Sequence, residues 1–191
     1  MKKIEDFYEK TLDRKMIFNG KIINVAVDTV ELPNGMGTAE RELVFHPGGV
    51  TVIPITDEGK IVLVRQFRKP FEKLILEIPA GKIEPGEYDD LEAAAKRELE
   101  EETGYKPNAF KKLTEVYLSP GFCDELLRIY FATSLEKVEN PRPQDEDEVL
   151  EVVELTFEEA KLAEKEGLIC EAKTVMALMY WELMRLKGEL L

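Results

Sequence analysis

The sequence predicts an α/β (α+β) protein with a mixed sheet and helices on its faces, and two observations predict this fold class. Segments rich in Val, Ile, Leu and Phe follow one another through the first half of the chain, separated by turn sequences such as Pro-Asn-Gly at 33–35. Segments near residues 90–103 and 170–187 show the period of a helix instead. Elements of both kinds in one chain pack as layers around a core.

Local signals predict each element in chain order. Residues 4–13 form a short amphipathic helix by pattern, and candidate strands follow at 22–31, 40–46, 49–56, 60–67 and 74–78. A glycine loop at 81–86 precedes a helix that Asp89 or Asp90 caps and Gly104 ends. Further strands are predicted at 109–118, 126–133 and 149–155, and Thr156 begins another helix.

Length and charge exclude several classes of function. A chain of 191 residues fits one domain with room for a small terminal extension. Its net charge of -13 opposes non-specific nucleic-acid binding, because phosphates would be repelled. An anionic substrate therefore needs local cations, which a bound metal could supply. We expect no membrane span and a cytoplasmic protein, since long apolar runs, a secretory signal and a cysteine framework are lacking.

The predicted helix at 90–103 carries a group of carboxylates. Glu98 and Glu102 lie four residues apart and share one helix face, which Glu101 borders. A solvated acidic face is one interpretation. In an enclosed site, two carboxylates about 5 Å apart would repel by roughly 3 kcal/mol and would need protonation or a cation. Hard oxygen ligands favour Mg²⁺ or Mn²⁺, but the spacing alone leaves both interpretations open.

The sequence around these glutamates resembles the Nudix box, G-x5-E-x7-R-E-U-x-E-E-x-G-U, in which U is a bulky apolar residue. The first part runs from Gly81 to Glu87, and the last part runs from Arg97 to Tyr105. The middle has nine residues instead of seven. Two extra residues inside a helix would turn the later carboxylates by about 200°, so we expect the insertion in the loop at 88–90.

The resemblance implies a Nudix-type α/β/α sandwich and assigns roles to the box residues. Glu98 and Glu102 would be the main metal ligands, and Glu101 would support the site or bind through water. Arg97 would orient a neighbouring glutamate, although an ordinary surface pair with Glu101 is the alternative. The role of Glu87 is open, since Asp89 or Asp90 could replace it.

Flanking motifs are similar to those of the ADP-ribose pyrophosphatase group. The sequence Ile-Pro-Ala-Gly at 78–81 would make the carbonyl of Ala80 a metal ligand. Pro120 stands sixteen residues after Gly104, as in that group, so Ser119 would contact the phosphate or the terminal ribose. Arg68, at the end of a strand, would bind phosphate, unless it is a strand-edge charge that serves solubility.

The general base must come from outside the box, because the box carboxylates are taken by metal. The acidic segment 144–148 resembles the loop that supplies this base in ADP-ribose pyrophosphatases. By position, Glu146 would activate water and Glu148 would add a metal ligand. A merely solvated acidic loop is the alternative, and the adjacent carboxylates leave the register open.

The N-terminal part resembles a small β region that family members exchange in a dimer. We therefore predict two parts, residues 1–45 as an N-terminal helix and β region and residues 46–191 as the Nudix domain. Arg41 would reach the site of the partner in a homodimer. The segment around residues 21–23 offers no aromatic side chain to stack on adenine, although Phe18 lies nearby.

The function that the resemblance implies is Mg²⁺-dependent hydrolysis of the pyrophosphate bond of a nucleoside diphosphate derivative. ADP-ribose, cleaved to AMP and ribose 5-phosphate, is the first expected substrate. Nucleotide sugars and dinucleoside polyphosphates are alternatives within the same chemistry. A non-catalytic Nudix-like regulator is the alternative of another class, and the complete set of box glutamates opposes it. A calcium-binding domain is opposed by the helical spacing of the carboxylates.

Overall fold

The computed structural model describes residues 2–144 and 148–189, and the chain divides into two compact units. The first unit comprises Met1–Gly48 and Tyr117–Leu126, and the second comprises Gly49–Val116 and Leu127–Leu191. The predicted division at residue 45 follows chain order alone. It therefore does not include the later segment that belongs with the first unit.

The first unit is built on an antiparallel sheet of β1 (Lys10–Asn19), β2 (Asn24–Glu31) and β3 (Thr38–Phe45). The predicted helix at 4–13 is wrong: a single 3-10 turn covers Ile4–Asp6, and β1 begins at Lys10. The strand pairs with β2 from Lys10↔Glu31 to Asn19↔Asn24. Cross-strand pairing with β2 thus determines the structure of this segment, although its helical periodicity predicted a helix.

The second unit holds the remaining elements in the order β4 (Gly49–Pro54), β5 (Ile61–Arg68), β6 (Lys73–Glu77), β7 (Ala80–Lys82), α1 (Leu91–Thr103), β8 (Tyr105–Tyr117), β9 (Leu126–Lys137), β10 (Glu151–Leu155), α2 (Phe157–Lys165) and α3 (Ala172–Leu186). One sheet has the order β7-β4-β9-β8, in which β4 is parallel to β9 and antiparallel to β7. A second, antiparallel sheet has the order β10-β5-β6. The mixed α+β class predicted from the sequence is confirmed.

Strand β4 is buried along its whole length, and its two faces meet different helices. Val50 and Val52 join a core with the apolar residues of α1, such as Leu99. Ile53 lies in the other core, which α2 and α3 complete and which contains Trp181. Because side chains alternate along a strand, helices cover the sheet on both sides. In the described part of the chain, no helix combines the length and apolarity that a bilayer span requires.

Candidate functional site

The loop before α1 accommodates the two extra residues of the box. Helix α1 begins at Leu91, and the side chain of Asp90 caps it by accepting a hydrogen bond of 3.0 Å from the Ala93 N–H. At the other end, Gly104 adopts φ 72° and donates its N–H to the Glu100 carbonyl at 2.8 Å. The insertion therefore lies outside the helix, as expected, and leaves the spacing of the later glutamates intact.

Strand β7 and helix α1 bring two carboxylates into a shared, largely enclosed place. The Glu98 side chain is 14% exposed and lies against the backbone of Gly81, where an added Cβ would overlap the carboxylate. Glu102 is 4% exposed, and its Oε2 accepts a hydrogen bond of 3.1 Å from the Ala80 N–H. These carboxylates do not form the solvated face that the spacing alone allowed.

Burial and mutual repulsion shift the ionisation of these carboxylates. Burial raises the pKa of Glu98 to about 7, the neighbouring Arg97 opposes this shift, and the charges of Glu101 and Glu148 add to it. Burial also raises the pKa of Glu102 well above its ordinary value, with further contributions from Glu148 and Glu98. Glu148 therefore lies close enough to both glutamates to act on their charge.

This donor set fits a divalent cation. Desolvated, mutually repelling carboxylates are stabilised when a cation of hard character lies between them, and oxygen ligands suit Mg²⁺ or Mn²⁺. Within residues 2–144 and 148–189, no group of three or more His, Cys, Asp or Glu side chains is already arranged as a metal-binding set. The side chains of Glu98 and Glu102 would therefore adjust on binding, from positions that already place them near each other.

Arg97 joins the carboxylates of the box. Its Nε and Nη2 donate to the two oxygens of Glu87 at 2.7 and 3.0 Å, and its Nη1 donates to Glu101 at 2.5 Å. Nη2 also lies 2.9 Å from Glu98 Oε1. The hydrogen bond to Glu87 is the main reason why the pKa of Arg97 is raised. Glu87 thus holds Arg97, while Asp90 caps the helix.

Arg68 lies at the end of β5 and contacts a residue that sequence reasoning missed. Its Nε and Nη2 donate to the two oxygens of Glu77 at 2.5 and 2.9 Å, and Lys173 contacts the same carboxylate. Burial alone would raise the pKa of Glu77, but the hydrogen bond from Arg68 and the charge of Lys173 hold it below its ordinary value. The pKa of Arg68 is raised chiefly by Glu77 and further by the charges of Glu102 and Glu148.

Other predicted site residues lie in the first unit or outside the described residues. The Ser119 carbonyl accepts from the N–H groups of Phe122 and Cys123 at 3.1 and 2.9 Å, which closes a turn. Arg41 donates to both oxygens of Glu9 at 2.8 and 2.6 Å. Glu146, the predicted base, falls in the segment 145–147, outside the described residues. The functional roles of Ser119, Arg41 and Glu146 stay predictions.

Comparisons with known proteins agree with this geometry. Residues 45–176 match the family described as NUDIX domain, and residues 9–44 match the nucleoside diphosphate sugar hydrolase N-terminal domain. The chain is 49% identical to an ADP-ribose pyrophosphatase of Bacillus subtilis strain 168, over 96% of each chain. It is 51% identical to a methanol dehydrogenase activator of Bacillus methanolicus, over 93% of this chain and 94% of that protein.

A solved structure agrees as well. The protein described as ADP compounds hydrolase superposes with a TM-score of 0.78 and 25% sequence identity, covering 95% of each chain. Nudix hydrolases generally use a divalent metal ion, which matches the enclosed carboxylates of α1. The box, the fold and the extent of the family match together show that the chain belongs to the Nudix family.

Proposed function

We propose that this protein hydrolyses the pyrophosphate bond of ADP-ribose to AMP and ribose 5-phosphate, using Mg²⁺. The observation that carries the proposal is the enclosed pair Glu98 and Glu102, which lie against Gly81 and Ala80 and whose pKa values are raised by burial and by the charges of neighbouring carboxylates. The 49% identity to an ADP-ribose pyrophosphatase supports ADP-ribose as the substrate.

The metal site in this proposal consists of Glu98, Glu102, Glu148 and the carbonyl of Ala80. These groups would hold a divalent ion, which would supply neutralisation of charge on the phosphate oxygens and a lower pKa for water. Mn²⁺ suits the same oxygen ligands. Arg97 keeps the carboxylate of Glu98 in place.

The remaining residues of the proposed site bind the substrate and accept the proton. Arg68 binds the diphosphate, and Ser119 contacts the phosphate or the terminal ribose. Glu146 accepts a proton from the water that attacks one phosphorus, and the bond from that phosphorus to the bridging oxygen breaks. The bridging oxygen leaves on the other phosphate. The products are two monophosphates, and the step needs no co-reactant besides water.

A substrate panel with Mg²⁺ tests the activity. ADP-ribose, nucleotide sugars, dinucleoside polyphosphates and nucleoside triphosphates are offered in turn, and phosphate-sensitive product release is measured. We expect the highest kcat/KM on ADP-ribose. Glu92→Gln is a matched control, because Glu92 lies on the same helix but pairs with Lys96 at the surface. Wild-type rates in Glu102→Gln with excess Mg²⁺ would refute the metal site.

The register of the base needs a test of its own. Glu146→Gln should slow turnover strongly and leave metal binding unchanged, because the residue is proposed to take a proton and not to bind the ion. Glu148→Gln should weaken metal binding instead. A loss of turnover in Glu148→Gln without a loss of metal affinity, with Glu146→Gln unaffected, would move the base to residue 148.

A nucleotide sugar is the second candidate substrate. It is favoured by the match of residues 9–44 to a domain described by nucleoside diphosphate sugar hydrolysis. The same panel decides, since a higher kcat/KM on a nucleotide sugar than on ADP-ribose would replace the first choice. A higher kcat/KM on a dinucleoside polyphosphate than on ADP-ribose would likewise replace the first choice.

A regulatory role is the alternative from another class, and the similarity to a methanol dehydrogenase activator favours it. Regulation and hydrolysis can coexist on one site, and the presence of all box glutamates supports hydrolysis. Nucleotide binding without turnover on any substrate would favour a purely regulatory protein.

We also propose a cytoplasmic homodimer in which residues 1–45 provide the dimer element and residues 46–191 the Nudix domain. All residues of β1 are exposed, and they include Leu12, Met16 and Phe18, which are each about half exposed. A strand with these side chains suits a second copy of the chain. In that dimer, Arg41 would leave Glu9 and reach the partner's site.

A further inference from the structure

We infer that Glu77 and Lys173 are positioning residues that hold Arg68 in the orientation in which it binds the diphosphate of the substrate. The inference rests on the proposed function, because it takes Arg68 as the phosphate contact. Neither residue belongs to the box, and they lie 96 positions apart in the chain.

The pair of Arg68 and Glu77 fixes the plane of the guanidinium. Glu77 is the last residue of β6 and is 2% exposed, while the Arg68 side chain is 40% exposed. The two parallel hydrogen bonds use Nε and Nη2 of the arginine. Bidentate pairs of this kind set direction as well as energy. The Nη1 edge stays outside this pair and is the edge that can meet an anion.

Lys173 joins this arrangement from helix α3. It is 7% exposed, contacts the Glu77 carboxylate, and its Nζ lies 3.3 Å from Glu171 Oε1, so the charges of Arg68, Glu77, Lys173 and Glu171 cancel. A buried ion pair adds little stability compared with apolar residues of similar size, so stability alone is a weak explanation for this cluster. Holding Arg68 in one orientation is the role that its two parallel hydrogen bonds to Glu77 support.

Helix α3 holds Lys173 in place from its first turn. The Glu171 side chain accepts hydrogen bonds from the N–H groups of Lys173 and Thr174 at 2.9 and 2.8 Å. Thr174 Oγ1 accepts from the Ile78 N–H at 2.9 Å. The start of α3 is thus tied to the residue next to Glu77. The lysine, the carboxylate and the end of β6 form one pre-organised support for Arg68.

Removing the carboxylate should release Arg68. An amide at residue 77 offers a single acceptor oxygen, and its NH₂ group faces the arginine donors, so the bidentate pair is lost. Glu77→Gln should raise KM by roughly 10–100-fold, the usual effect of losing a supporting partner, with a much smaller change in kcat. Lys173→Met should raise KM in the same direction, and Lys173→Arg should restore much of it.

The double variant Glu77→Gln/Lys173→Met separates positioning from stability. Each single variant takes one of two ion-pair partners from a buried charge and should lower Tm. The double variant removes both charges, so Tm should recover toward the wild-type value while KM stays high. Recovery of KM together with Tm would overturn the inference. Glu151→Gln is the matched control and should leave KM unchanged. It removes an exposed ion-pair partner of Arg65, which lies on β5 together with Arg68.

A binding measurement distinguishes failure of this inference from failure of the proposed function. Kd for ADP-ribose is measured by calorimetry for wild type and the double variant, in EDTA so that no turnover occurs. Weaker binding in the double variant supports the inference even if wild type hydrolyses nothing, which would refute only the proposed function. Equal Kd values overturn the inference whatever the activity. Absence of ADP-ribose binding to the wild type in EDTA would overturn the inference, because Arg68 would then not bind the diphosphate, while the substrate panel with Mg²⁺ would still decide the proposed function.

Discussion

Gly81 and Glu98 approach each other so closely that a methyl group at residue 81 would overlap the carboxylate. Gly81 is not among the residues with positive φ, so the backbone conformation does not require glycine there. The space taken by the Glu98 side chain does. The first glycine of the box is therefore a steric partner of a proposed metal ligand.

Gly81→Ala should displace the Glu98 carboxylate and lower metal affinity and turnover by roughly 10–100-fold, as other losses of ligand support do. A calorimetric Mg²⁺ titration measures the affinity, and circular dichroism checks that the fold is retained. Gly121→Ala is the control for the substitution itself, since nothing lies within 4 Å of a Cβ added there. Unchanged Mg²⁺ affinity in Gly81→Ala would show that the contact has no functional role.

Glu102→Gln should separate stability from activity. The substitution removes a buried charge but keeps an oxygen that accepts from the Ala80 N–H. We expect Tm in EDTA at about pH 8 to rise by roughly 2–4 °C, about 1 kcal/mol for a domain of this size. Turnover with Mg²⁺ should fall by orders of magnitude. A lower Tm in EDTA would mean that the Glu102 charge stabilises the metal-free fold.

The stabilising effect of Mg²⁺ should grow with pH. The pKa of Glu98 in the folded protein is about 7, above its ordinary value of 4.5. Without a cation, this group therefore costs stability progressively as pH rises from 4.5 through 7. A cation binds the ionised form and offsets that cost. Thermal unfolding with EDTA or MgCl₂ should show a larger gain in Tm at about pH 8 than at about pH 6, and an equal gain would contradict the assignment.

Arg97→Lys should loosen the carboxylates that Arg97 now joins. A lysine keeps the charge but cannot make the two parallel hydrogen bonds to Glu87 while it also contacts Glu98 and Glu101. We expect weaker Mg²⁺ binding and a lower kcat, with KM for ADP-ribose changed less. Glu87→Gln should act in the same direction. Retention of full metal affinity by both variants would indicate that the ion pairs are a surface feature.

Phe18→Glu should convert the proposed homodimer into monomers. A charge on the exposed strand β1 would have to be buried without a partner when a second copy covers it. Light scattering after size-exclusion chromatography reports the mass. Met179→Glu is the control, because this exposed side chain lies on α3, outside residues 1–45. A dimer that survives Phe18→Glu would place the interface elsewhere.

The sequence predicted the elements whose signals are local. The limits of α1 follow from Asp90 and Gly104, a side-chain cap and a left-handed glycine that act within a few residues. The position of Glu98 and Glu102 on one helix face follows from helical periodicity, which is also a local signal. The fold class could be predicted for the same reason, because the alternating or helical pattern of each segment is a local feature of the sequence.

Long-range contacts account for what the sequence did not predict. Nothing near Lys10 indicates that it pairs with Glu31, so a helix was expected where β1 begins. The contact of Lys173 with Glu77 joins α3 to β6 across 96 positions. A hint was present, because Glu77 is a charged residue at the end of an apolar strand. Its partners became visible only with the packing of the helices on the sheet.

The loop at 88–90 bears on how the box is searched for in other sequences. The ion pair of Glu87 and Arg97 closes a stretch of chain whose ends are 10 positions apart, where the usual pattern has eight. Closure entropy grows only with the logarithm of length, so the longer stretch costs about 0.2 kcal/mol, less than the thermal energy RT. A search that requires a fixed spacing therefore rejects chains whose two extra residues cost the folded protein little free energy. A variable gap between the glutamate and the arginine describes the box better.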